Sequence, residues 1–453
     1  MKMKFVYLLF LIFTVLAGCR KNATSPEDNA EDDISSGGDA TTFSNSSLAF
    51  SQPAPNLSAE NLEKHLQGDL HFEQSFVKAP AIVNGGLGPL FISNSCSNCH
   101  ISDGKGLVPS AGFPPESMLF RISVPGEDEN GGPKPVPGFG TQLQSKAVIE
   151  FSPEGNVNIS YSEIKGTYPD GAIYYLRKPN YQLTGNISSG ILISPRIAPP
   201  VFGLGLLEAV PEDVIKSLAV EDSNEEISGK VNYVWNSETK QLETGRFGWK
   251  ANTPTLRQQV AGAYNEDMGI TSPYFKMENC HSNDYCDTLN DDPEITEDIL
   301  RLVTVYAQTL AVPARRNTDD ENVIRGKFLF SDIGCNSCHV TTLKTGNFPE
   351  IPELSNQKIH PYTDLLLHDM GDELADNRPD FSADGNEWRT PPLWGIGLID
   401  IVNGNNAFLH DGRARNLEEA ILWHGGEAQK TKERFINLNS ADRKALLEFL
   451  KSL

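Results

Sequence analysis

Six of the seven cysteines fall into three close pairs, and two of those pairs carry a histidine at the same offset. Cys96-Ser-Asn-Cys99-His100 and Cys335-Asn-Ser-Cys338-His339 both read C-x-x-C-H. Two thiols three positions apart can each add to a haem vinyl group, and the imidazole that follows then reaches the iron as an axial ligand. Structural zinc would need the two C-x-x-C pairs at ribbon spacing, whereas these lie far apart in the chain. A thioredoxin-type dithiol needs a βαβ surround that the flanking residues do not offer. Paired disulfides would not require histidine twice. The expectation is two covalently bound c-type haems, one on Cys96, Cys99 and His100, the other on Cys335, Cys338 and His339. Cys280 and Cys286 lack this spacing, because His281 follows the first of them directly. A local disulfide is their plain reading in an oxidising compartment.

The seventh cysteine sits at the end of a leader. Lys2 and Lys4 precede an apolar run from Phe5 to Leu16, which ends in Leu16-Ala17-Gly18-Cys19. This resembles a bacterial lipoprotein signal over residues 1–18, with Cys19 as the lipid anchor. An ordinary secretory signal with an incidental cysteine is the alternative. Either way the chain is expected to be exported, and the lipid reading makes it a membrane-anchored lipoprotein facing periplasm or cell surface. Residues 19–56 are rich in Ser, Asn, Asp and Glu and read as a flexible tether. The formal net charge of −22 argues against nucleic acid, whose phosphates demand a basic footprint. No second long apolar run occurs, so lipid would be the sole membrane attachment.

The elements that must position the two motifs are partly readable. Ser58 can cap a helix carrying Leu62 and Leu66, ahead of the Gly85–Pro89 turn cluster and the first motif. The stretch from Gly112 to Ser194 is rich in Pro and Gly, without helical period, and reads as loop with short β-like runs. From Glu294 the texture turns helical: Thr296 as N-cap with Ile299, Leu302, Val303 and Tyr306 on one face, then Val323–Phe330 leading to Cys335. The chain closes with Ser440 as N-cap and Leu446, Phe449, Leu450 and Leu453 at helical spacing. This layout divides the body into an N-terminal haem domain over residues 57–290 and a C-terminal cytochrome c domain over residues 291–453. Asn252-Thr-Pro-Thr-Leu-Arg257 and Arg389-Thr-Pro-Pro-Leu-Trp394 form a weak internal repeat.

Ala407-Phe-Leu-His410-Asp-Gly-Arg413, followed by Leu417-Glu-Glu-Ala420, resembles a passage of the bacterial di-haem cytochrome c peroxidases, as does Gly326-Lys-x-Leu-Phe330. Gly86-Leu-Gly-Pro-Leu-Phe91, Gly203-Leu-Gly-Leu-Leu-Glu208, Gly245-Arg-Phe-Gly-Trp-Lys-Ala251 and Trp423-His-Gly-Gly-Glu427 are closer still to a related group. That group is the di-haem oxidoreductase family, also labelled thiol oxidoreductase. The resemblance runs from about Gly85 to the C-terminus. It implies a mainly α fold, with two cytochrome-c-like haem domains facing each other, long loops and minor β, and a peroxidase-like activity.

It also implies roles for single residues. His424 stands where the peroxidases carry the distal methionine of the second haem, so His339 and His424 are the expected axial pair, with Met370 as rival. His410 is expected near the haem edge and not on iron. No histidine lies between His100 and His281. The first haem then lacks the usual distal histidine; His65, His71 and Met118 remain as candidates, and an open sixth position would suit peroxide. Haem 1 is expected to react and haem 2 to relay electrons. Glu208 is the candidate acid/base, against charge pairing at a helix start. Trp249 is a relay aromatic or core. Asp369, Asp372, Asp380 and Asp384 offer a Ca²⁺ site, against a solvated acidic face. A small cytochrome or cupredoxin would serve as redox partner. A pure electron-transfer lipoprotein and an enzyme that oxidatively modifies a partner protein are the other readings.

Overall fold

The computed structural model describes residues 33–453 apart from 110–115, 186, 188–189, 221–226, 282–285, 287–288 and 290. The leader and Cys19 lie outside the described residues. In chain order the elements that matter here are β1 (Thr41–Thr42), α1 (Ala59–Phe72), β2 (Met118–Ser123), β3 (Gly155–Thr167), β4 (Ile173–Gly185), β5 (Leu192–Ile197), α2 (Leu256–Gly262), α3 (Glu297–Thr309), β6 (Val312–Pro313), α4 (Glu321–Asp332), β7 (Leu367–Asp369), β8 (Glu387–Arg389), α5 (Leu417–Trp423) and α6 (Ser440–Ser452). Among the described residues no helix is long and apolar enough to cross a membrane.

Helix starts follow their capping residues. The Ser58 hydroxyl accepts from the Asn61 N–H at α1, and the Thr296 hydroxyl accepts from the Ile299 N–H at α3. Asp320 caps α4 through the Asn322 and Val323 N–H groups. Each such cap contributes about 1 kcal/mol. The terminal helix begins at Ser440, and its cap is Asn439, which accepts from the Asp442 N–H at 3.0 Å.

Helices α1, α3, α4 and α6 make two crossings of one kind. In the first, Gly68 of α1 lies on α3: a side chain there would meet the Leu302 carbonyl oxygen and come within 2.8 Å of the Tyr306 Cβ. In the second, Gly326 of α4 lies on α6, where a side chain would meet the Ala445 carbonyl oxygen and come within 2.6 Å of the Phe449 Cβ. Four residues further along each first helix an aromatic ring reaches the motif histidine. Phe72 is 6.2 Å from the His100 ring and Phe330 is 6.3 Å from the His339 ring. Tyr306 and Phe449 close the two clusters at 5.1 and 5.3 Å. Each C-x-x-C-H motif thus hangs from its own glycine-mediated crossing. Gly326→Ala is expected to destabilise the protein by about 1–3 kcal/mol through overpacking, read from urea unfolding; an unchanged midpoint would mean that the crossing has room for a methyl group.

The mainly α expectation, with two cytochrome-c-like domains, does not hold. Helix makes up 31% of the structure and strand 21%, the strands lying in small two-stranded sheets. The largest departure falls in the stretch from Gly112 to Ser194. There β3 and β4 form a long antiparallel hairpin, Gly155 opposite Gly185 through to Thr167 opposite Ile173. Its turn is Tyr168-Pro-Asp-Gly171, with Gly171 at φ +88° and the Asp170 carboxylate accepting from the Ala172 N–H. Much of the hairpin is only half-buried, which blurs the alternation that marks a one-sided strand. Beside it β2 pairs with β5, Met118 opposite Ile197.

The stretch from Asp33 to Asn56, read above as the end of a tether, lies on the body. β1 pairs parallel with β6, Thr41 opposite Val312. Ala49 and Phe50 are fully buried, with Phe50 stacked on Phe202 at 4.2 Å. Ala40 and Ala54 are buried too, and the ion pairs of Asp33 with Arg315 and Lys327 and the backbone pairing of β1 add to these contacts, which composition does not reveal.

Candidate functional site

A single cavity of about 700 Å³ is lined by both C-x-x-C-H motifs. All four motif cysteines are free thiols on its wall. Burial pushes the Cys96 and Cys335 thiols up to about 12 and the Cys99 thiol up to about 11, so all three stay protonated.

Three histidines of the wall share one arrangement. His100 donates its Nδ1–H to the Pro199 carbonyl at 2.7 Å, His339 to the Tyr362 carbonyl at 2.9 Å, and His424 to the Ala420 carbonyl at 2.8 Å. An Nδ1–H held by a carbonyl fixes the tautomer and leaves the Nε2 lone pair for a metal. Burial lowers the pKa of all three, His339 to about 4, so the rings are neutral as ligation requires. The segment of His424 lies at the second motif, since His368 contacts the Cys338 sulfur at 3.5 Å and Glu427, three residues after His424, at 2.8 Å. Four thiols, the two histidines at the motif ends and a third on the same wall fit two haem groups.

The di-haem oxidoreductase family model, described as "Di-haem oxidoreductase, putative peroxidase", matches residues 31–453. The chain belongs to this family. No curated protein and no solved structure matches it significantly.

In this di-haem oxidoreductase the remaining candidates separate cleanly. His65 bonds the Thr309 hydroxyl at 2.8 Å and His71 the Gln74 side chain at 3.2 Å, and neither lines the cavity. Met118, fully buried on β2, does line it. Met370 is on the wall as well, and its carbonyl oxygen would meet a side chain at Gly425 at 2.9 Å, so its segment abuts that of His424. His368 is also on the wall, but both ring nitrogens are taken, Nδ1 by Glu427 at 2.8 Å and Nε2 by Asp364 at 2.9 Å. It has no lone pair to offer.

Glu208 is not a wall residue. One carboxylate oxygen accepts from the Leu256 N–H at 2.7 Å and the other from the Gln308 side-chain amide at 2.7 Å. Leu256 is the first residue of α2, so Glu208 serves the start of that helix. The carboxylates that do reach the wall near the first motif are Glu266 and Asp267. Both lie on a π-helical turn, Ala263–Asp267, directly after α2. Such turns have no readable sequence signal and often sit at functional sites. Asp267 accepts from the Gln142 side-chain amide at 2.7 Å, and burial raises its pKa. Arg121 faces Glu266 at 3.6 Å.

Aromatic rings stand in the same wall. Trp249 is buried and donates its indole N–H to the Ile197 carbonyl at 2.8 Å. His410 stacks on Trp388, centroids 3.7 Å apart and planes within 9°. Burial pushes the His410 imidazole down to about 3, so it is a neutral ring. The hairpin fixes this loop: Arg177 donates to the Gly412 and Arg413 carbonyls, and the Tyr181 hydroxyl donates to Asp411. Both halves of the Thr-Pro repeat, Asn252–Leu256 and Arg389–Trp394, contribute wall residues.

The four acids considered for Ca²⁺ are engaged separately. Asp380 pairs with Arg196 and Arg378 at 2.8 and 3.2 Å, and Asp384 accepts from the Asn386 and Glu387 N–H groups. Asp369 accepts from the Gly371 N–H, and Asp372 from the Asn386 side chain. Among the described residues they do not converge into a group that could hold an ion. Cys280 and Cys286 form a disulfide.

Proposed function

We propose that this di-haem oxidoreductase reduces peroxide, with both haems attached covalently through the two C-x-x-C pairs and unequal in ligation. The observation that carries this reading is the set of wall histidines whose Nδ1–H is held by a backbone carbonyl, His100 at the first motif and His339 and His424 at the second, while His410 is stacked on Trp388 instead. Bound there, the haems supply peroxide activation and one-electron transfer.

The residues then divide the work. His100 Nε2 is the protein's ligand at the first haem, oriented by the Pro199 carbonyl. His339 and His424, each with its Nδ1–H on a carbonyl, would hold the second. Asp267, whose carboxyl burial raises above its usual range, is placed to hold a proton on the wall beside the first motif, and the Gln142 amide orients it. In this reading Asp267 takes the acid/base part first considered for Glu208. Trp249 and the Trp388–His410 stack supply π-systems along the cavity wall for electron passage, and the apolar wall keeps water from the proton and the electron.

The electron donor is a small cytochrome or cupredoxin, and the net charge of −22 favours a basic face on it. Cys19 carries lipid and holds the chain to a membrane on the periplasmic or outer side.

Steady-state peroxide reduction with a reduced small cytochrome tests this reading. The wild-type protein is expected to turn over, and Asp267→Asn to lose about 10²–10⁴-fold in kcat while peroxide still perturbs the haem spectrum. Electron exchange with the donor and no loss of peroxide would instead make the protein a carrier. Unchanged turnover in Asp267→Asn would remove the proton role.

A further inference from the structure

Most charged groups of the cavity wall are answered by an opposite charge. Arg196 and Arg378 share Asp380, and Arg121 faces Glu266. Arg389 donates to the Gly248 carbonyl at 2.9 Å. Two lysines of the wall have no such partner among the described residues, the half-buried Lys432 and the deeper Lys105. Lys105 is 5% exposed, it lines the cavity, and among the described residues its ammonium has neither a hydrogen-bond nor an ion-pair partner.

The backbone of Lys105 is held in place. Asn403 accepts from the Lys105 N–H at 3.1 Å and donates to its carbonyl at 2.9 Å, and the same amide donates to the Ile101 carbonyl at 2.8 Å. One side chain therefore ties both the end of the first motif and Lys105 to one place. The ammonium rests on ring faces, 5.4 Å from the centre of Trp249 and 5.7 Å from that of Phe408. Two such contacts offset only part of the desolvation penalty of a buried ion. Burial accordingly pushes the ammonium down to about 7. A buried point charge on a cavity wall, acted on by the negative charge of Asp411 but in no ion pair among the described residues, is a place for an anion from outside the protein.

We propose that Lys105 binds a carboxylate inside the cavity, and that this carboxylate is a propionate of the haem carried by Cys96, Cys99 and His100. The proposal rests on the reading that this motif carries haem, whose attachment brings two carboxylates into the cavity that Lys105 lines. Lys105 follows His100 by five residues and shares the Asn403 tie with the motif end, so its position is fixed relative to that haem rather than to the other. Lysine gives one compact charge and suits a single carboxylate oxygen. A free carboxylate would be met by the same chemistry, and the two sources are told apart below.

The test uses the holoprotein and its Lys105→Met and Lys105→Arg variants, after the covalent haem content of each has been counted. Fewer than two haems in the wild-type protein would count against the haem reading itself, independently of Lys105. With two haems present, Lys105→Met is expected to move one propionate-bending band in the resonance Raman spectrum. It is also expected to lower the reduction potential of one haem and leave the other alone, because removing a positive charge favours the ferric state. Lys105→Arg should restore both signals towards wild type. If Lys105→Met does not accumulate with two haems, Lys105→Gln, which keeps a donor without the charge, gives the same readout. Wild-type bands and potentials in the neutral variant would overturn the proposal. Unchanged bands, with acetate perturbing the wild-type spectrum but not that of Lys105→Met, would move the site to a free carboxylate and overturn the propionate assignment.

Discussion

Replacing Cys335 and Cys338 together by alanine is expected to leave one covalent haem per chain, and replacing Cys96 and Cys99 to leave the other. The expectation of half, rather than none, comes from the packing. Each motif hangs from its own helix crossing, Gly68 on Leu302 and Tyr306 in one, Gly326 on Ala445 and Phe449 in the other. Each motif histidine is also oriented by its own carbonyl, Pro199 or Tyr362. Losing one thioether pair removes nothing that shapes the other site. Intact mass under denaturing conditions and the pyridine haemochrome spectrum read the result directly, as a loss of one haem and half of the absorbance. Stoichiometric zinc with no covalent haem would contradict the assignment, as would loss of both haems from either double variant.

The second large effect is expected at His424. Its ring is placed at the end of α5 by the Ala420 carbonyl, with Nε2 left to the cavity. His424→Gly removes that ligand and should add high-spin signal from the second haem. His424→Met should keep that haem low-spin and raise its potential, because a thioether donates less to ferric iron than imidazole does. Met370 is the control, since its segment abuts Gly425 and it competes for the same space. Met370→Leu is expected to leave the potential nearly unchanged. A shift with Met370→Leu and none with His424→Gly would reverse the assignment and make the second site a His/Met centre.

What could be read from the sequence was the chemistry that rides on covalent spacing. The thiol and imidazole offsets of the two motifs survive any fold, and so do helix starts that depend on one capping residue, as at Ser58, Thr296 and Asp320. The C-terminal cap moved by one residue because Ser440 and Asn439 are both good caps and only one N–H geometry decides between them. Strand content was missed where the hairpin from Gly155 to Gly185 is too exposed to alternate. The Glu208 reading failed on tertiary grounds. A glutamate after an apolar run looks alike whether it faces a cavity or the start of another helix, and here the Leu256 N–H claims it. Asp267 and Lys105 could not be singled out in advance. The π-helical turn that brings the first to the cavity wall, and the Asn403 tie that pins the second, are both products of packing between distant segments.

The unequal ligation of the two haems is tested most directly by the electron paramagnetic resonance spectrum of the resting, fully oxidised protein with spins counted. One His-ligated site open to peroxide and one closed by His339 and His424 should give one high-spin and one low-spin ferric centre per chain. Two low-spin centres in equal amount would contradict the open first site and would leave the protein an electron carrier.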